Sequence, residues 1–279
     1  MLIIFLIVLA LIWIIIAIFN DLKTREIPNW LNFSLIIFAL GARFFYSLFE
    51  QNWNFFIYGL LGLGVFFILG NILYYSKFFA GGDAKLFIAL GAIIPFSTVF
   101  IENLNLFGNF VLLFLISGAI FGIASVLYFS CKNFTSIKKD FANSMKNNKR
   151  KFYSFMIAGL AFMIAGFYME FLFLLGAILF VFPYIFYYTK SIDSTSLVRK
   201  IDSKKLTEGD WLYSSLKIGK RAIEPRWEGL NAREIALIRK KYKFVRIRRG
   251  IEFSPVFLVS FVVFVYCYFA GIILCNSFW

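Results

Sequence analysis

Long, continuous apolar runs recur along this sequence and restrict its fold more than any other feature. A helix needs about 20 apolar residues to cross the hydrocarbon core of a bilayer, which is about 30 Å thick. Because these runs are continuous rather than alternating, they predict helices and exclude the strands of a membrane barrel. Hydrophobic residues make up 61% of the 279 residues, well above the share in a soluble domain. We therefore predict an all-α polytopic membrane protein of about eight transmembrane helices, at residues 2–19, 30–49, 55–75, 83–100, 106–131, 153–169, 171–188 and 255–275.

Two parts of this series depart from a plain transmembrane helix. The first run could be a signal peptide, but it lacks a basic n-region and a small-residue cleavage pattern, so we expect a retained span. The sixth and seventh runs are separated only by Glu170, and they form either two spans or one broken helix.

The basic residues of the loops predict the orientation of the chain in the membrane. The net charge is +14, and the loops after the first, third, fifth and seventh spans carry the basic residues, whereas those after the second, fourth and sixth have no Lys or Arg. Basic loops face the cytoplasm, so both termini are predicted to face outside. Topology and attraction to anionic lipid account for this charge, and we expect no nucleic-acid partner. Arg43, inside the second span, is the basic residue that this scheme leaves unexplained.

The polar segment at residues 189–254 predicts a small cytoplasmic α/β subdomain before the last helix. Asn231, followed three residues later by Glu234, forms a variant capping box at the start of a helix. Residues 244–249 alternate between apolar and basic side chains, as a short strand does. The predicted domains are a transmembrane core at 1–188 with a basic cytoplasmic loop at 132–152, the subdomain at 189–254, and a C-terminal transmembrane helix at 255–279.

Two aspartates at the ends of predicted spans are the strongest functional signal in the residues themselves. Asp21 closes the first span, and Asp83 opens the fourth directly after Gly81 and Gly82. The predicted topology places both acids on the cytoplasmic side at similar depth, and a carboxylate beside the hydrocarbon core by default marks a functional site. Two adjacent carboxylates share one proton, so one can take a proton from water while the other donates to a peptide carbonyl. The consecutive glycines would let a substrate backbone approach closely.

The absence of histidine narrows the chemistry further. It excludes Ser-His-Asp and Cys-His schemes and the HExxH zinc motif. The cysteines, Cys131, Cys267 and Cys275, form no CxxC pair, and a structural zinc site needs about four Cys or His ligands. We therefore predict a site built on two aspartates, with no metal and no cofactor.

Simpler roles exist for each of these residues. Asp83 fits the N-cap of its helix, and Asp21 fits a solvated loop acid beside Lys23. Lys23 and Lys85 fit anchors to lipid headgroups. An ion- or proton-coupled transporter would use the same two aspartates, but it predicts acids near the bilayer midplane and internal sequence symmetry. A non-enzymatic membrane scaffold would explain the basic loops but not the paired motifs.

The two aspartate motifs together resemble those of the type IV prepilin peptidases, including the archaeal preflagellin (prearchaellin) peptidases, which are membrane aspartic proteases of the GxGD type. That family has an aspartate closing the first span, then a basic residue and an Ile-Pro-Asn opening the second, matched here by Asp21, Lys23 and residues 27–29. Its second motif is a glycine-rich turn, an aspartate and often a lysine, matched by residues 81–85 with Ala80 in place of the first glycine. The likeness is clear over residues 19–95 and weaker over 206–258.

The resemblance implies a membrane aspartic endopeptidase with a catalytic pair, a supporting glycine turn and two auxiliary lysines: Asp21 and Asp83, Gly81 and Gly82, Lys23 and Lys85. It implies that the partners are membrane lipids and type IV pilin-like or archaellin precursors. These precursors would lose a basic leader peptide at the cytoplasmic face of an archaeal cell membrane. Bacterial members carry a tetracysteine zinc domain and N-methylate the product. This chain lacks those cysteines, so the implied enzyme has no N-methyltransferase activity.

Overall fold

A computed structural model describes residues 1–218, 221–226, 228–272 and 274. The chain forms two compact units, Met1–Gly122 with Ile251–Trp279, and Ile123–Gly250. Its helices are α1 (Leu2–Thr24), α2 (Asn29–Phe49), α3 (Asn54–Tyr75), α4 (Gly81–Gly91), α5 (Phe100–Lys132), α6 (Phe134–Asn147), α7 (Lys149–Ala165), α8 (Glu170–Ile192), α9 (Ala232–Lys241) and α10 (Pro255–Phe269). Its strands are β1 (Val198–Asp202), β2 (Trp211–Leu212), β3 (Leu216–Ile218), β4 (Arg221–Ile223) and β5 (Phe244–Arg248).

The lengths of the apolar helices agree with a polytopic helical protein, but they do not confirm eight full spans. Among the described residues, five helices are long and apolar enough to cross a membrane: α1, α2, α3, α5 and the run Glu170–Leu197 that contains α8. The sixth predicted span corresponds to α7, which begins with the basic residues 149–151 and has 17 residues. The last corresponds to α10, which has 15 residues. Its predicted range of 255–275 reaches Ile273 and Cys275, which lie outside the described residues.

The fourth predicted span differs most from the structure. α4 ends at Gly91, and residues 92–99 are not helical, although a span was predicted over residues 83–100. Pro95 accounts for the break, because proline disfavours helical backbone at the residue before it and lacks an N–H. Residues 92–94 are fully buried. Their backbone carbonyl groups therefore need hydrogen-bond partners inside the protein.

Arg43 on α2 supplies those partners. Its side chain is fully buried, with 1% of the residue exposed. The guanidinium donates hydrogen bonds at 2.5 to 3.0 Å to the carbonyl oxygens of Phe55, Ala92, Ile93 and Pro95. Irregular backbone at membrane depth is tolerated where protein groups satisfy it in this way. The basic residue that the topology left unexplained thus holds the non-helical stretch after α4.

Close helix crossing fixes the position of α4 within the first unit, where it packs against α2 and α3. A Cβ atom added to Gly62 of α3 would overlap the carbonyl oxygen of Gly91 and would lie 2.8 Å from Cγ of Pro95. One turn along, the rings of Phe66 and Phe87 lie 4.8 Å apart between centroids. Glycine at position 62 therefore lets the two helices approach to backbone contact, as small residues do in membrane proteins.

In the second unit, α7 and α8 form an antiparallel hairpin. A turn at residues 166–169 separates them, so the sixth and seventh apolar runs are two helices. A Cβ atom at Gly159 would lie 2.7 Å from the backbone nitrogen of Phe180, and one at Gly176 would lie 2.5 Å from that of Met163. The two glycines thus allow the backbones to meet. The basic loop predicted at 132–152 is mostly the helix α6, which buries Ile137.

The polar segment of the second unit folds into the predicted mixture of helix and strand. β5 pairs with β1 and β2 in a three-stranded antiparallel sheet, and β3 pairs with β4. The predicted capping box is present at the start of α9, because Asn231 accepts from the Glu234 N–H and Glu234 accepts from the Asn231 N–H. Ile238 of α9 packs in one core with Val245 and Ile247 of β5.

The compact units group the chain differently from the predicted domains. Residues 123–188 belong to the same unit as the polar segment, and residues 251–254 belong with the first helices.

Candidate active site

Asp21 lies in the last turn of α1 and turns inward. It follows buried Ile14 and Ala17 at helical spacing, and only 9% of the residue is exposed. The helix ends because Arg25 adopts a left-handed backbone with φ 64°, where its N–H donates to the Asp21 carbonyl oxygen at 2.8 Å. Pro28 then continues in an extended conformation into α2. A solvated loop acid, the simpler role for Asp21, does not describe this position.

Asp83 lies in the first turn of α4 and is partly buried. The N-cap of that helix is Ala80, whose own side chain makes no capping hydrogen bond. Asp83 is thus the third residue of the helix and not its N-cap. Its carboxylate interacts instead with the backbone of Ala80 through a hydrogen bond. An acid in the first turn is also favoured by the positive end of the helix dipole.

Two contacts bring the motif that contains Asp21 to the motif that contains Asp83. A Cβ atom added to Gly82 would lie 3.1 Å from Cβ of Ile27, so the loop after α1 packs directly on the start of α4. The ammonium group of Lys85 donates to the side-chain oxygen of Asn29 at 2.6 Å, which ties α4 to the first residue of α2. The end of α1, the start of α2 and the start of α4 therefore form one cluster of helix ends, although its residues are more than 50 positions apart in the sequence.

The electrostatics of this cluster raise the pKa of Asp83. Burial, and to a smaller extent the negative charge of Asp21, raise the pKa of Asp83 from 3.8 to about 7, and the hydrogen bond with the Ala80 backbone opposes both effects. Asp83 belongs to α4 and so lies outside the five helices that are long enough to span a membrane. Near neutral pH the cluster therefore holds, in Asp83, a carboxyl group able to donate a proton.

The other predicted site residues have different surroundings. A Cβ atom at Gly81 would meet only the Tyr74 ring, at 3.7 Å, so one side of this residue is open. Gly82 is closed in by the loop, as described above. The ammonium group of Lys23 lies 5.9 Å from the centroid of the Phe19 ring on the same helix, on the exposed side of α1. No group of three or more His, Cys, Asp or Glu residues placed to hold a metal ion occurs in the described part of the chain.

Some residues near the aspartates were not singled out from the sequence. Arg25 forms an ion pair at 3.0 Å with Glu252, just before α10, and no sequence pattern connects two residues so far apart. Asn32, in the first turn of α2, is 1% exposed. Its position three residues after Asn29 was visible in the sequence, but its burial follows only from the packing of α2.

Comparisons with known proteins address the same part of the chain. The family model described as "Type IV leader peptidase family" matches residues 8–127. A preflagellin peptidase of Methanocaldococcus jannaschii is 34% identical over 88 residues, which are 32% of this chain and 37% of the relative. A prepilin peptidase of Methanothermobacter thermautotrophicus is 38% identical over 91 residues, 32% of this chain and 23% of the relative.

A preflagellin peptidase of Methanococcus maripaludis is 28% identical over 121 residues, 41% of this chain and 52% of the relative. The matched part of the chain thus spans between 23% and 52% of the length of these three relatives. No solved structure matches the chain. The matched residues contain both aspartate motifs, and residues 8–127 of this chain, with Asp21 and Asp83, are similar to the type IV leader peptidase family.

Proposed function

We propose that this protein is a membrane aspartic endopeptidase that removes the leader peptide from type IV pilin-like or archaellin precursors. The observation that carries the proposal is the packing of the two aspartate motifs on each other, through Gly82 against Ile27 and through the hydrogen bond of Lys85 to Asn29. The charge of Asp21 also raises the pKa of Asp83. The relatives that are named preflagellin and prepilin peptidases support the choice of substrate.

The proposed mechanism needs only the two carboxyl groups and water. The ionised carboxylate removes a proton from a water molecule, whose oxygen then attacks the carbonyl carbon of the scissile peptide bond. The protonated carboxyl group donates its proton to the carbonyl oxygen, so the tetrahedral intermediate is uncharged at that oxygen. Collapse of the intermediate breaks the C–N bond, and the leaving nitrogen takes up a proton from the pair. Because two coupled carboxyl groups titrate as a unit, the acid and base roles belong to the pair of Asp21 and Asp83.

The residues around the aspartate pair have different proposed roles. Gly81 has an open side, so it is the glycine past which a substrate backbone can approach Asp83. Gly82 permits the contact with Ile27 that holds the two motifs together. Lys85 positions α4 through Asn29. Lys23 remains a headgroup anchor, in keeping with its exposed position.

We place the site at the cytoplasmic face and retain eight membrane crossings as part of the proposal. The alternation of basic and non-basic loops supports that orientation. The fourth crossing would consist of α4 after Asp83 and the buried stretch that Arg43 holds. Substrate precursors and surrounding lipids would be the partners. We assign peptidase activity without N-methyltransferase activity, in an archaeal cell membrane.

The proposal is tested by incubating membranes that contain the protein with an archaellin or pilin precursor. Wild-type protein is expected to remove the leader, whereas the Asp21→Asn and Asp83→Asn variants are expected to leave the precursor intact while remaining folded and inserted. Asp140→Asn is the matched control, because Asp140 belongs to the second unit and accepts a hydrogen bond from Ser194. It should cleave as the wild type does.

The results of this experiment distinguish an aspartic peptidase from a transporter. Cleavage that persists in Asp83→Asn excludes the aspartate pair as the catalytic group. A folded wild-type protein that cleaves none of several precursors excludes the peptidase and favours an ion- or proton-coupled transporter that uses the same acids.

A further inference from the structure

Asn32 is a buried amide without a hydrogen-bond partner. The residue is 1% exposed. Neither its side-chain nitrogen nor its side-chain oxygen has a partner among the residues that the structure describes. A buried polar group left unpaired costs about 1–3 kcal/mol, and an amide carries both donors and an acceptor. Because such groups are rare in folded proteins, each one calls for a specific explanation.

Asn32 lies one turn from the end of α2 that Lys85 ties to the helix carrying Asp83. It lies in the first turn of α2, one turn beyond Asn29, which binds Lys85 two residues after Asp83. The connection from α1 to α2 has only four residues, 25–28, so the last turn of α1 with Asp21 lies beside the first turn of α2. Asn32 shares the buried face of α2 with Leu35.

The chemistry of an amide suits a pair of acids that share a proton. Its NH₂ group can donate to an ionised carboxylate, and its oxygen can accept from a protonated one. A hydrophobic residue on this face would meet the packing requirement without any unpaired polar atoms, so packing alone does not explain an asparagine here. Catalytic hydrogen bonds are often long or poorly aligned in a resting site and tighten only when substrate is bound.

We propose that Asn32 is a positioning residue of the peptidase site, whose amide hydrogen-bonds to the aspartate pair when a precursor is bound. This inference rests on the proposed function. In this proposal the amide lacks a partner only in the resting enzyme. The unpaired amide lowers the stability of the fold, but it is available to the aspartate pair during the reaction. Stability and activity then oppose each other at this position, as they commonly do at functional sites.

Ser47 provides a matched control on the same helix. It is fully buried on the same side of α2, and its hydroxyl also lacks a partner among the described residues. It lies 15 residues beyond Asn32, which corresponds to about 22 Å along a helix at 1.5 Å per residue. Ser47 is thus a buried polar side chain without a described hydrogen-bond partner, as Asn32 is, but it lies far from the aspartates.

The experiment measures kcat, KM and the thermal midpoint of unfolding for wild type, Asn32→Ala, Asn32→Leu and Ser47→Ala. We expect the Asn32 variants to unfold at or above the wild-type midpoint. Their kcat should fall by about tenfold or more, with KM nearly unchanged, because misplacing a catalytic group costs up to about a hundredfold. Ser47→Ala should keep the wild-type kcat. If leucine is too large for this position and Asn32→Leu does not fold, Asn32→Ala still tests the proposal.

Each other result has a defined meaning. Wild-type kcat in both Asn32 variants overturns the inference while leaving the peptidase intact, provided that wild type cleaves and Asp83→Asn does not. Unfolding of both variants also overturns it, because the amide would then serve the fold. If the folded wild-type protein cleaves no precursor, the proposed function fails and this inference fails with it.

Discussion

Replacing Arg43 by methionine tests whether one buried side chain holds the irregular stretch after α4. Methionine keeps a flexible apolar stem of similar length but removes every donor of the guanidinium. In the structure that group donates to four carbonyl oxygens, three of which lie in residues 92–95. Those carbonyls are enclosed by protein, so water cannot replace the lost donors without rearrangement of the chain.

The magnitude follows from two opposing effects. The three buried carbonyl groups in residues 92–95, left without donors, cost about 1–3 kcal/mol each, which sums to roughly 3–9 kcal/mol, whereas the Phe55 carbonyl keeps its bond within α3. Removing a buried guanidinium recovers its desolvation cost of several kcal/mol, so the net loss is smaller, on the order of 3 kcal/mol. This is a large part of the roughly 5–15 kcal/mol that stabilises a typical domain. For a protein of this size it corresponds to a fall of about 10 °C in the thermal midpoint.

The assay is thermal unfolding of the purified protein in detergent, followed by circular dichroism. Arg233→Met is the matched control, because it makes the same substitution at an exposed position on α9, where a change within about 0.5 kcal/mol is expected. An Arg43→Met protein that unfolds at the same temperature as wild type would refute the reasoning. It would mean that the carbonyls of the non-helical stretch find other partners or that their pairing carries little free energy.

Two further perturbations have distinct signatures. Gly62→Ala should destabilise the protein by about 1–3 kcal/mol because its Cβ overlaps the Gly91 carbonyl, whereas Gly64→Ala should be neutral or stabilising by up to about 1 kcal/mol, since nothing lies within 4 Å of its Cβ. Chemical unfolding measures the stability of both variants. A Gly62→Ala protein more stable than Gly64→Ala would contradict the prediction. Because the pKa of Asp83 rises from 3.8 to about 7 on folding, the folded protein holds a proton that the unfolded chain releases, and the free energy of unfolding should fall as pH rises from 3.8 to about 7. Asp83→Asn should lack that part of the slope, and wild-type cleavage should decline above about pH 7; equal slopes in both proteins would contradict the assignment.

The sequence was sufficient to predict the parts of the protein that depend on local pattern. Continuous apolar runs predicted helices, and the spacing of Asn231 and Glu234 predicted the capping box at the start of α9. The alternation of basic loops predicts both acids on one side of the membrane, and in the structure the loop after α1 packs on the start of α4. These inferences use information that lies within a few residues or in the composition of whole loops.

The parts that the sequence could not predict depend on contacts between distant segments. Residues 83–100 are apolar enough for a full span, and Pro95 was the local sign that the helix stops early. Whether such a break is stable depends on Arg43, about 50 positions away, and on the glycine at position 62 that admits α4 to backbone contact. The burial of Asn32 and the ion pair between Arg25 and Glu252 are likewise consequences of helix packing.

The two ends of α4 are held in different ways, and this difference bears on how the site could work. The end near Gly91 is fixed by backbone contact with α3 and by the buried hydrogen bonds of Arg43 to the residues that follow. The end that carries Asp83 is held by the contact between Gly82 and Ile27 and by the exposed hydrogen bond of Lys85. An exposed polar contact exchanges with water at little net cost, whereas a buried carbonyl cannot lose its donor cheaply. Any motion of α4 on substrate binding is therefore expected at the aspartate end, which is where the proposed hydrogen bonds between Asn32 and the acid pair would form.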